Sequence, residues 1–345
     1  MVAANAPDVD VLSYTQGSMF ALAFRRGITH GVPALAVLPF AVAGAMLAWD
    51  RIVRRRLSPE APPARFGPLL LLSFIGVLTH PVLDWMNIYG MRWWLPFDGR
   101  WSYGDSLFIV DPWLWLMLGA AAALAGSRSR RSAALWLALA AVTGAAVFRS
   151  GMVPAPGRAL WAGGVGAAAA AWLLGRPATP PVRVGMARAL TGAAALYVIA
   201  MVVTHRAGVD EVRQALVGAT PAGGEVIMIS PLPALPLRSE VLVATGGGYI
   251  PATLDWTATP AVQIGRELGV LRQAAGADVT AEEVAAAIAA ARLDPDVAHY
   301  LVWSRFPVWR VDRADGGFQV GVGDARYPGR GGGLSGLTVG VTVGR

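Results

Sequence analysis

Residues 32–49 read VPALAVLPFAVAGAMLAW, a stretch without a charged side chain. A transmembrane helix needs about 20 predominantly apolar residues, so this stretch predicts a membrane span from Val32 to Trp49. The whole chain fits that interpretation. Of its 345 residues, 55% are hydrophobic and only 15% are charged, against about 25% in an average soluble domain. The sequence therefore predicts an integral membrane protein.

Further apolar segments follow along the chain. They run from Gly67 to about Leu83, from Pro112 to Gly126, from Ala133 to Phe148, from Ala159 to Leu174 and from Ala187 to Val203. The segment from Pro112 is short for a span unless it extends back into residues 106–110. Together with the first segment, they predict an α-helical bundle of about six membrane spans over residues 32–204.

Arginine supplies every basic side chain of the protein and predicts its orientation. The loops after the first, third and fifth spans are rich in it: Arg51, Arg54, Arg55, Arg56 and Arg65; Arg128, Arg130 and Arg131; Arg176, Arg183 and Arg188. The positive-inside rule places these loops in the cytoplasm. Residues 1–31, the loop 84–111 and everything after about residue 205 are then expected outside. The net charge of +7 is modest and spread along the chain, so no nucleic-acid partner is predicted.

Residues 205–345 differ from the rest in composition, because glycine, proline and charges return. Short patterns typical of strands occur at Glu225–Ser230, Ser239–Thr245, Val308–Arg313, Gly317–Val322 and Leu337–Val343. Thr280 with Glu283 predicts a capping box before a helix over Ala281–Arg292, and Asp294–Pro295 predicts the start of another, to about Ser304. The run Gly329–Gly333 is expected to be a loop. The sequence thus predicts a small α+β extramembrane domain after the bundle.

Polar side chains gather at the predicted outer surface. His80 and Asp84 are four residues apart, which places them on one face of a helix. Asp8 and Asp10 lie in the segment before the first span, and His30 immediately precedes that span. The chain has no cysteine, so a metal site must use His and Asp, a donor set that suits Zn, Mn or Fe. The alternative is that these are ordinary helix-end polar residues, and spacing alone does not decide between the two.

Other polar and aromatic residues have simpler interpretations. Asp111 before Pro112 is well placed to cap the third span, with a ligand role as the alternative. Asp98 is interpreted as a loop residue. His205 and His299 are interpreted as structural. Six tryptophans predict an interfacial aromatic belt: Trp85, Trp93, Trp94, Trp101, Trp113 and Trp115.

These motifs, in their order and spacing, resemble one known family. The segments concerned are Asn5-Ala6-Pro7-Asp8-Val9-Asp10, Arg26-Gly27-Ile28-Thr29-His30, His80-Pro81-Val82-Leu83-Asp84-Trp85-Met86-Asn87-Ile88-Tyr89-Gly90-Met91-Arg92, Pro96-Phe97, and Asp105 through Asp111-Pro112. Over about residues 3–115 the chain resembles the YdjM-like membrane-bound metal-dependent hydrolases. The pieces Arg305-Phe306-Pro307 and Asp324-Ala325-Arg326-Tyr327 are similar to those of longer bacterial members.

The resemblance implies a multi-pass protein of the bacterial inner (plasma) membrane, and it implies roles for individual residues. The implied metal-binding set is Asp8, Asp10, His30, His80 and Asp84, with Asp105 and Asp111 as further members. Arg26 would hold an anionic group of the substrate. Members of the family usually carry a Thr-His pair and an apolar helix ahead of the Pro-Asp-x-Asp run. We therefore expect either a later start here than in the family or a member that lacks that segment.

The leading functional hypothesis is a membrane hydrolase with a divalent metal, Zn before Mn or Fe. Such a metal lowers the pKa of its water to about 7 and polarises an ester or phosphoester oxygen, with Asp84 or another acid as the proton acceptor. The expected partners are the lipid bilayer and an ester or phosphoester substrate. A lipid or lipid-linked substrate fits a site at the headgroup level, but no residue in the sequence selects it. The alternatives are a non-enzymatic scaffold that binds a partner through its outer domain and, less favoured by the scarcity of charges within the spans, a transporter.

Overall fold

The computed structural model describes residues 1–126, 129–175, 179–217, 226–272, 279–328 and 333–342. Within these ranges the chain divides into a helical N-terminal region and a C-terminal region built on β-sheets. This division confirms the predicted order along the chain, in which a helical region with candidate membrane spans comes first and a region that contains β-sheets follows. The predicted loop Gly329–Gly333 lies almost entirely outside the described residues.

A helix occupies each of the six predicted span positions. The helices are α3 (Val32–Leu57), α4 (Phe66–Trp85), α5 (Pro112–Gly126), α6 (Arg130–Arg149), α7 (Ala155–Gly175) and α8 (Pro180–Ala215). Among the described residues, α3, α4, α6 and α8 are long and apolar enough to cross a membrane, whereas α5 is a shorter apolar helix. The structure therefore supports four spans, and six remains a prediction.

The membrane helices pack through small and medium-sized apolar side chains. A short helix at the N-terminus, α1 (Val2–Asn5), contributes Ala3 to a cluster with Val42 of α3 and Val77 of α4. Ala121 of α5 packs with Ala187 of α8. Small side chains allow helix backbones to approach closely, which is how helices associate in a bilayer that offers no hydrophobic driving force between them.

Two sheets form the C-terminal region. In the first, β1 to β4 pair in sequence order, all antiparallel, and β5 pairs with β3: β1 (Ile227–Leu232), β2 (Leu235–Ala244), β3 (Gly248–Asp255), β4 (Val262–Ile264) and β5 (Leu268–Gly269). The second has the order β6-β7-β8-β9, with β6 parallel to β7 and the others antiparallel: β6 (Leu271–Arg272), β7 (Pro307–Ala314), β8 (Gly317–Asp324) and β9 (Leu337–Val341).

The predicted helices of this region are α9 (Ala281–Ala291) and α10 (Pro295–Trp303). The Thr280 side chain accepts a hydrogen bond from the Glu283 backbone N–H, and the reciprocal bond completes the capping box.

Strand β3 was not predicted, because Pro251 in its middle interrupts the strand pattern. Helix α8 ends at Ala215, 12 residues beyond Val203, where the last span was predicted to end. Val212, in this extension, packs in the core of the first sheet.

The C-terminal region lies directly on the residues that flank α3 and α4. A second short helix, α2 (Ser18–Phe24), contributes Met19 and Leu22 to the core that contains Trp303 of α10. Tyr89, from the loop after α4, belongs to the same core. The N-terminal segment, the loop 84–111 and the C-terminal region are therefore in contact, as expected if all three lie on one side of the membrane.

A buried carboxylate organises the junction between α10, β7 and β8. Asp324 is only 1% exposed, and its Oδ2 accepts hydrogen bonds from Ser304 Oγ at 2.7 Å and from the backbone N–H groups of Arg305 and Phe306. Arg326 donates to it from Nε at 2.8 Å and from Nη2 at 2.9 Å. Burial alone raises the pKa of Asp324, but the Arg326 charge and these hydrogen bonds outweigh burial and hold that pKa below its usual range.

We predict that Asp324→Asn lowers the free energy of unfolding at pH 7 by about 3–5 kcal/mol, because it leaves buried Arg326 without its counter-charge. The folded-state pKa of Asp324 lies below the unfolded value, so its ionised form stabilises the fold at neutral pH. That contribution is lost as the pH falls from about 5 through the folded-state pKa. Thermal unfolding of wild type and variant between pH 7 and pH 3 measures both effects.

The difference in unfolding midpoint between wild type and Asp324→Asn should be largest at pH 7 and should narrow as the pH falls. Asp312→Asn is the matched control, since Asp312 pairs with Arg310 at the surface, where the arginine side chain is 62% exposed. A variant pair with equal midpoints at pH 7, or a gap that widens in acid, would contradict this account of Asp324.

Candidate metal centre

Within the part of the chain that the structure describes, the Nε2 atoms of His30 and His80 lie close together and have no hydrogen-bond partner. The rings of His30 and His80 have centroids 5.3 Å apart, and His30 is completely buried. The Nε2 atoms of both are buried and accept or donate no hydrogen bond among the described residues. A buried polar atom without a partner costs about 1–3 kcal/mol, so this pair indicates a position where a further atom belongs.

Two carboxylates lie beside these nitrogens. Asp8 places Oδ1 3.7 Å from His30 Nε2 and Oδ2 3.6 Å from His80 Nε2. Asp84 places Oδ2 3.6 Å from His30 Nε2 and 3.5 Å from His80 Nε2. The side chain of Asp8 is 38% exposed and that of Asp84 is 19% exposed, so the cluster is open on the Asp8 side.

The spacing of these atoms fits a divalent cation. Ligands at 2.0–2.1 Å from a tetrahedral zinc are about 3.4 Å from one another, close to the separations between the Nε2 and carboxylate atoms. Ligand atoms of Asp8, His30 and His80 all lie within 4.8 Å of one another. Two imidazoles with one carboxylate and an adjoining open position are the donor set of catalytic Zn and non-haem Fe sites.

Backbone packing brings the three segments together. Asp8 belongs to a 3-10 helix, Pro7–Gln16, that follows α1. Helix α1 lies against α4 at Gly76, where an added Cβ would be 2.9 Å from Ala3 Cβ. His80 and Asp84 occupy the last turns of α4, on one face as their spacing predicts, and His30 lies just before the start of α3.

The structure places Asp10 on the opposite side of the His30 ring from the cluster. Its Oδ2 is 3.2 Å from His30 Nδ1 and accepts the Arg26 N–H at 2.9 Å, and its Oδ1 accepts from Arg25 Nε at 3.2 Å. Burial raises the pKa of Asp10, but hydrogen bonds and charge from His30, the Arg26 N–H and Arg25 outweigh it, and the net pKa is lowered. A carboxylate on Nδ1 fixes the ring with Nε2 free for a metal.

Arg26 is placed as a partner of Asp84. It is 8% exposed, and its backbone adopts φ 54°, a left-handed conformation. Nη2 donates to Asp84 Oδ1 at 2.9 Å, and Nη1 donates to Asn87 Oδ1 at 2.9 Å. The resemblance implied that Arg26 holds a substrate anion, but this buried guanidinium is engaged with Asp84 and Asn87 and is therefore placed to orient the Asp84 carboxylate.

The remaining predicted ligands are located elsewhere. Asp105 Oδ2 accepts from Arg305 Nη1 at 2.6 Å. Asp111 Oδ1 accepts from the N–H groups of Trp113 and Leu114 at the start of α5, and burial raises the pKa of Asp111. The cap predicted as one alternative for Asp111 is therefore present. Among the described residues, the group close enough to share a cation contains neither Asp105 nor Asp111.

The turn that carries His30 depends on Arg92, which the sequence analysis did not assign to the site. Arg92 Nη2 donates to the carbonyls of Ala23 and Phe24 at the end of α2, where a cation complements the helix dipole.

The same turn requires glycine at position 31, because its backbone lies against the backbone of Trp93. A Cβ on Gly31 would be 2.7 Å from the Trp93 carbonyl oxygen, which accepts the Val32 N–H at 2.7 Å. The only sequence signal was the family motif that ends at Arg92.

Comparison with known proteins confirms the resemblance to the YdjM family over the N-terminal part of the chain, and it does not address hydrolase activity. Residues 1–153 match the YdjM inner membrane protein family, and this range contains the whole cluster. The chain is also 27% identical over 124 residues to the uncharacterized protein YfhP of Bacillus subtilis (strain 168). That match covers 36% of this chain and 35% of the relative, about a third of each. No solved structure matches the chain.

We predict that Gly76→Leu weakens metal binding, because the new side chain would collide with Ala3 and displace the segment that carries Asp8. Gly44→Leu is the matched control, since it makes the same substitution in α3 where an added Cβ meets nothing within 4 Å. Equilibrium dialysis of the purified, detergent-solubilised protein against Zn²⁺ measures both. Equal zinc affinity in the two variants would contradict the proposed packing of α1 against α4.

Proposed function

We propose that this protein is an integral membrane hydrolase that uses one divalent metal, with zinc as the first choice and Mn or Fe as alternatives. The observation that carries the proposal is the convergence of the carboxylates of Asp8 and Asp84 on two histidine nitrogens that have no hydrogen-bond partner among the described residues. Family membership of residues 1–153 supports the membrane location. The hydrolytic chemistry is inferred from the donor set.

In this proposal Asp8, His30 and His80 hold the metal. When bound, it would polarise the oxygen of an ester or phosphoester and make water a nucleophile at neutral pH. Asp84 Oδ2 would accept the proton of the attacking water, while Arg26 holds the other oxygen of that carboxylate. Water oxygen bonds to the phosphorus or acyl carbon, the bond to the leaving oxygen breaks, and Asp84 returns the proton to that oxygen.

The location of the cluster favours a lipid or lipid-linked substrate. His80 and Asp84 occupy the end of one candidate membrane span, and His30 immediately precedes another. Near the exposed side of Asp8, Val9 is 50% exposed and Leu12 is 65% exposed. A site at the end of two spans, flanked by exposed apolar side chains, is at the depth where a bilayer presents its ester and phosphoester groups.

We further propose that the cluster opens to the outer surface of the inner membrane and that the chain crosses that membrane six times. The arginine-rich segments that follow the first, third and fifth predicted spans, which are α3, α5 and α7, support this orientation through the positive-inside rule. Contact between the N-terminal segment, the loop 84–111 and the C-terminal region supports their common location. The C-terminal region would then be extracytoplasmic.

The orientation is testable by cysteine labelling, because the wild-type chain contains no cysteine. We predict that a membrane-impermeant maleimide labels Arg100→Cys and Leu293→Cys in intact spheroplasts, since the Arg100 side chain is 90% exposed and Leu293 is 84% exposed. Ser58→Cys and Ser129→Cys should react only after the membrane is permeabilised. The reverse labelling pattern would show that the orientation is inverted.

The enzymatic proposal predicts that purified protein hydrolyses a chromogenic phosphodiester or carboxylic ester in mixed micelles. Chelation should abolish this activity and Zn²⁺ should restore it. Asp84→Asn should lower kcat by about 100-fold or more, as expected for loss of a general base. Asp98→Asn, in the loop where Asp98 pairs with Arg100, should leave kcat unchanged. Hydrolysis that persists in Asp84→Asn, or that chelation does not affect, would rule the mechanism out.

A further inference from the structure

A continuous series of contacts between aromatic rings and guanidinium groups links the C-terminal region to Asp84. The Arg326 guanidinium lies over the Trp303 ring at 4.6 Å, and the Trp303 and Tyr89 rings have centroids 5.2 Å apart. On the other side of this pair, the Arg26 guanidinium lies 4.4 Å from the Tyr89 ring centroid. Arg26 then donates to Asp84, which borders the two histidines.

Every member of this series is buried. Trp303 is 0% exposed, Tyr89 is 7% exposed, and Arg26 and Arg326 are each 8% exposed. Cation–π attraction is stronger where the cation is removed from water than at exposed sites. The series therefore lies where such contacts constrain side chains most strongly.

Tyr89 is held from its backbone as well as from its ring. Arg326 Nη1 donates to the carbonyl of Ile88 at 2.6 Å, while the Tyr89 N–H donates to Asn87 Oδ1 at 2.9 Å. Arg326 is itself fixed by its two hydrogen bonds to Asp324. The C-terminal region thus determines where the Tyr89 ring lies relative to α4.

The orientation of the Tyr89 ring bears directly on Arg26. A guanidinium group is planar, so it stacks on a ring through its face and donates hydrogen bonds in its plane. The Arg26 Cζ lies over the Tyr89 ring, 4.4 Å from its centroid, while Nη2 and Nη1 donate to Asp84 Oδ1 and Asn87 Oδ1. If the ring moves, the plane of the guanidinium turns with it, and the hydrogen bond that orients the Asp84 carboxylate is lost.

We propose that Tyr89 and Trp303 are positioning residues, through which the C-terminal region completes the metal centre of the N-terminal region. The inference rests on the proposed function, since it takes the His–Asp cluster as a metal site. It gives the C-terminal region a role that neither the family match nor the cluster assigns. A separate ion pair, Arg305 Nη1 to Asp105 Oδ2 at 2.6 Å, fastens the same loop to this region.

The test is a Co²⁺ titration of the full-length protein in detergent, followed by the visible absorption of the bound ion. Tyr89→Leu and Trp303→Leu should each weaken Co²⁺ binding by about 10-fold and change the absorption bands, as expected for lost support of the residues around a metal. Tyr89→Phe keeps the ring and should bind Co²⁺ with wild-type affinity and bands.

Trp309→Leu is the matched control for general damage to the C-terminal region. Trp309 is 4% exposed in the same core as Trp303, but the guanidinium on its ring is that of Arg292. This variant should lower the unfolding midpoint and leave Co²⁺ affinity and bands unchanged below that midpoint. Folding of Tyr89→Leu and Trp303→Leu is checked by the same midpoint measurement, and titrations are made below it.

The outcomes are distinct. Wild-type protein that binds no Co²⁺ would overturn the proposed function and this inference together. Wild-type protein that binds Co²⁺ while Tyr89→Leu has the same affinity and bands would overturn the inference alone. Equal weakening in Trp309→Leu and Trp303→Leu would also overturn it, because loss of binding would then follow general destabilisation. If the Tyr89→Leu protein fails to fold, the Co²⁺ affinity and bands of Trp303→Leu are compared with those of Trp309→Leu, and that comparison decides.

Discussion

The arrangement of the site depends on one buried carboxylate, that of Asp10. It is 3% exposed, and a charge so far from water needs partners to offset its lost hydration. The Arg26 N–H, Arg25 Nε and His30 Nδ1 supply them. All three come from the turn between α2 and α3, so the same contacts that satisfy Asp10 bind the N-terminal 3-10 helix to that turn. Asp8, two residues earlier, is thereby brought to His30.

The backbone of this turn is strained at Arg26. Arg26 adopts the left-handed conformation at φ 54°, which costs a residue with a side chain about 1–2 kcal/mol. Such a conformation persists only where its surroundings fix it, and it tends to occur at functional sites. Here Asp10 accepts the backbone N–H, Asp84 and Asn87 accept from the guanidinium, and the Tyr89 ring lies 4.4 Å from the guanidinium carbon. Arg26 therefore joins the two halves of the cluster.

Local patterns predicted the elements of the fold well. Uninterrupted apolar stretches identified the positions of six helices, and the Thr280–Glu283 capping box identified α9, because these signals act within a few residues. The i, i+4 spacing of His80 and Asp84 predicted their shared face. Strand β3 was missed because a proline in a strand that pairs on both sides contradicts the usual pattern.

Contacts between distant segments could not be predicted from periodicity. The meeting of Asp8 with His80 came from family resemblance, since nothing local links residues so far apart. The Arg305–Asp105 ion pair joins positions 200 residues apart. Trp101 and Trp113, which the sequence predicts in an interfacial belt, donate to the carbonyls of Val302 and Ala234. In the last three contacts the partner belongs to the C-terminal region, whose contacts with the loop 84–111 and with the start of α5 no single-segment pattern reveals.

X-ray absorption at the zinc edge of the zinc-loaded, full-length protein measures the ligands of the metal centre. We expect a single zinc site with two imidazole ligands, one from His30 and one from His80, and with oxygen ligands, all at about 2.0–2.2 Å. His30→Ala should remove one imidazole from that spectrum. A zinc environment without imidazole scattering, or one that His30→Ala does not change, would contradict the account.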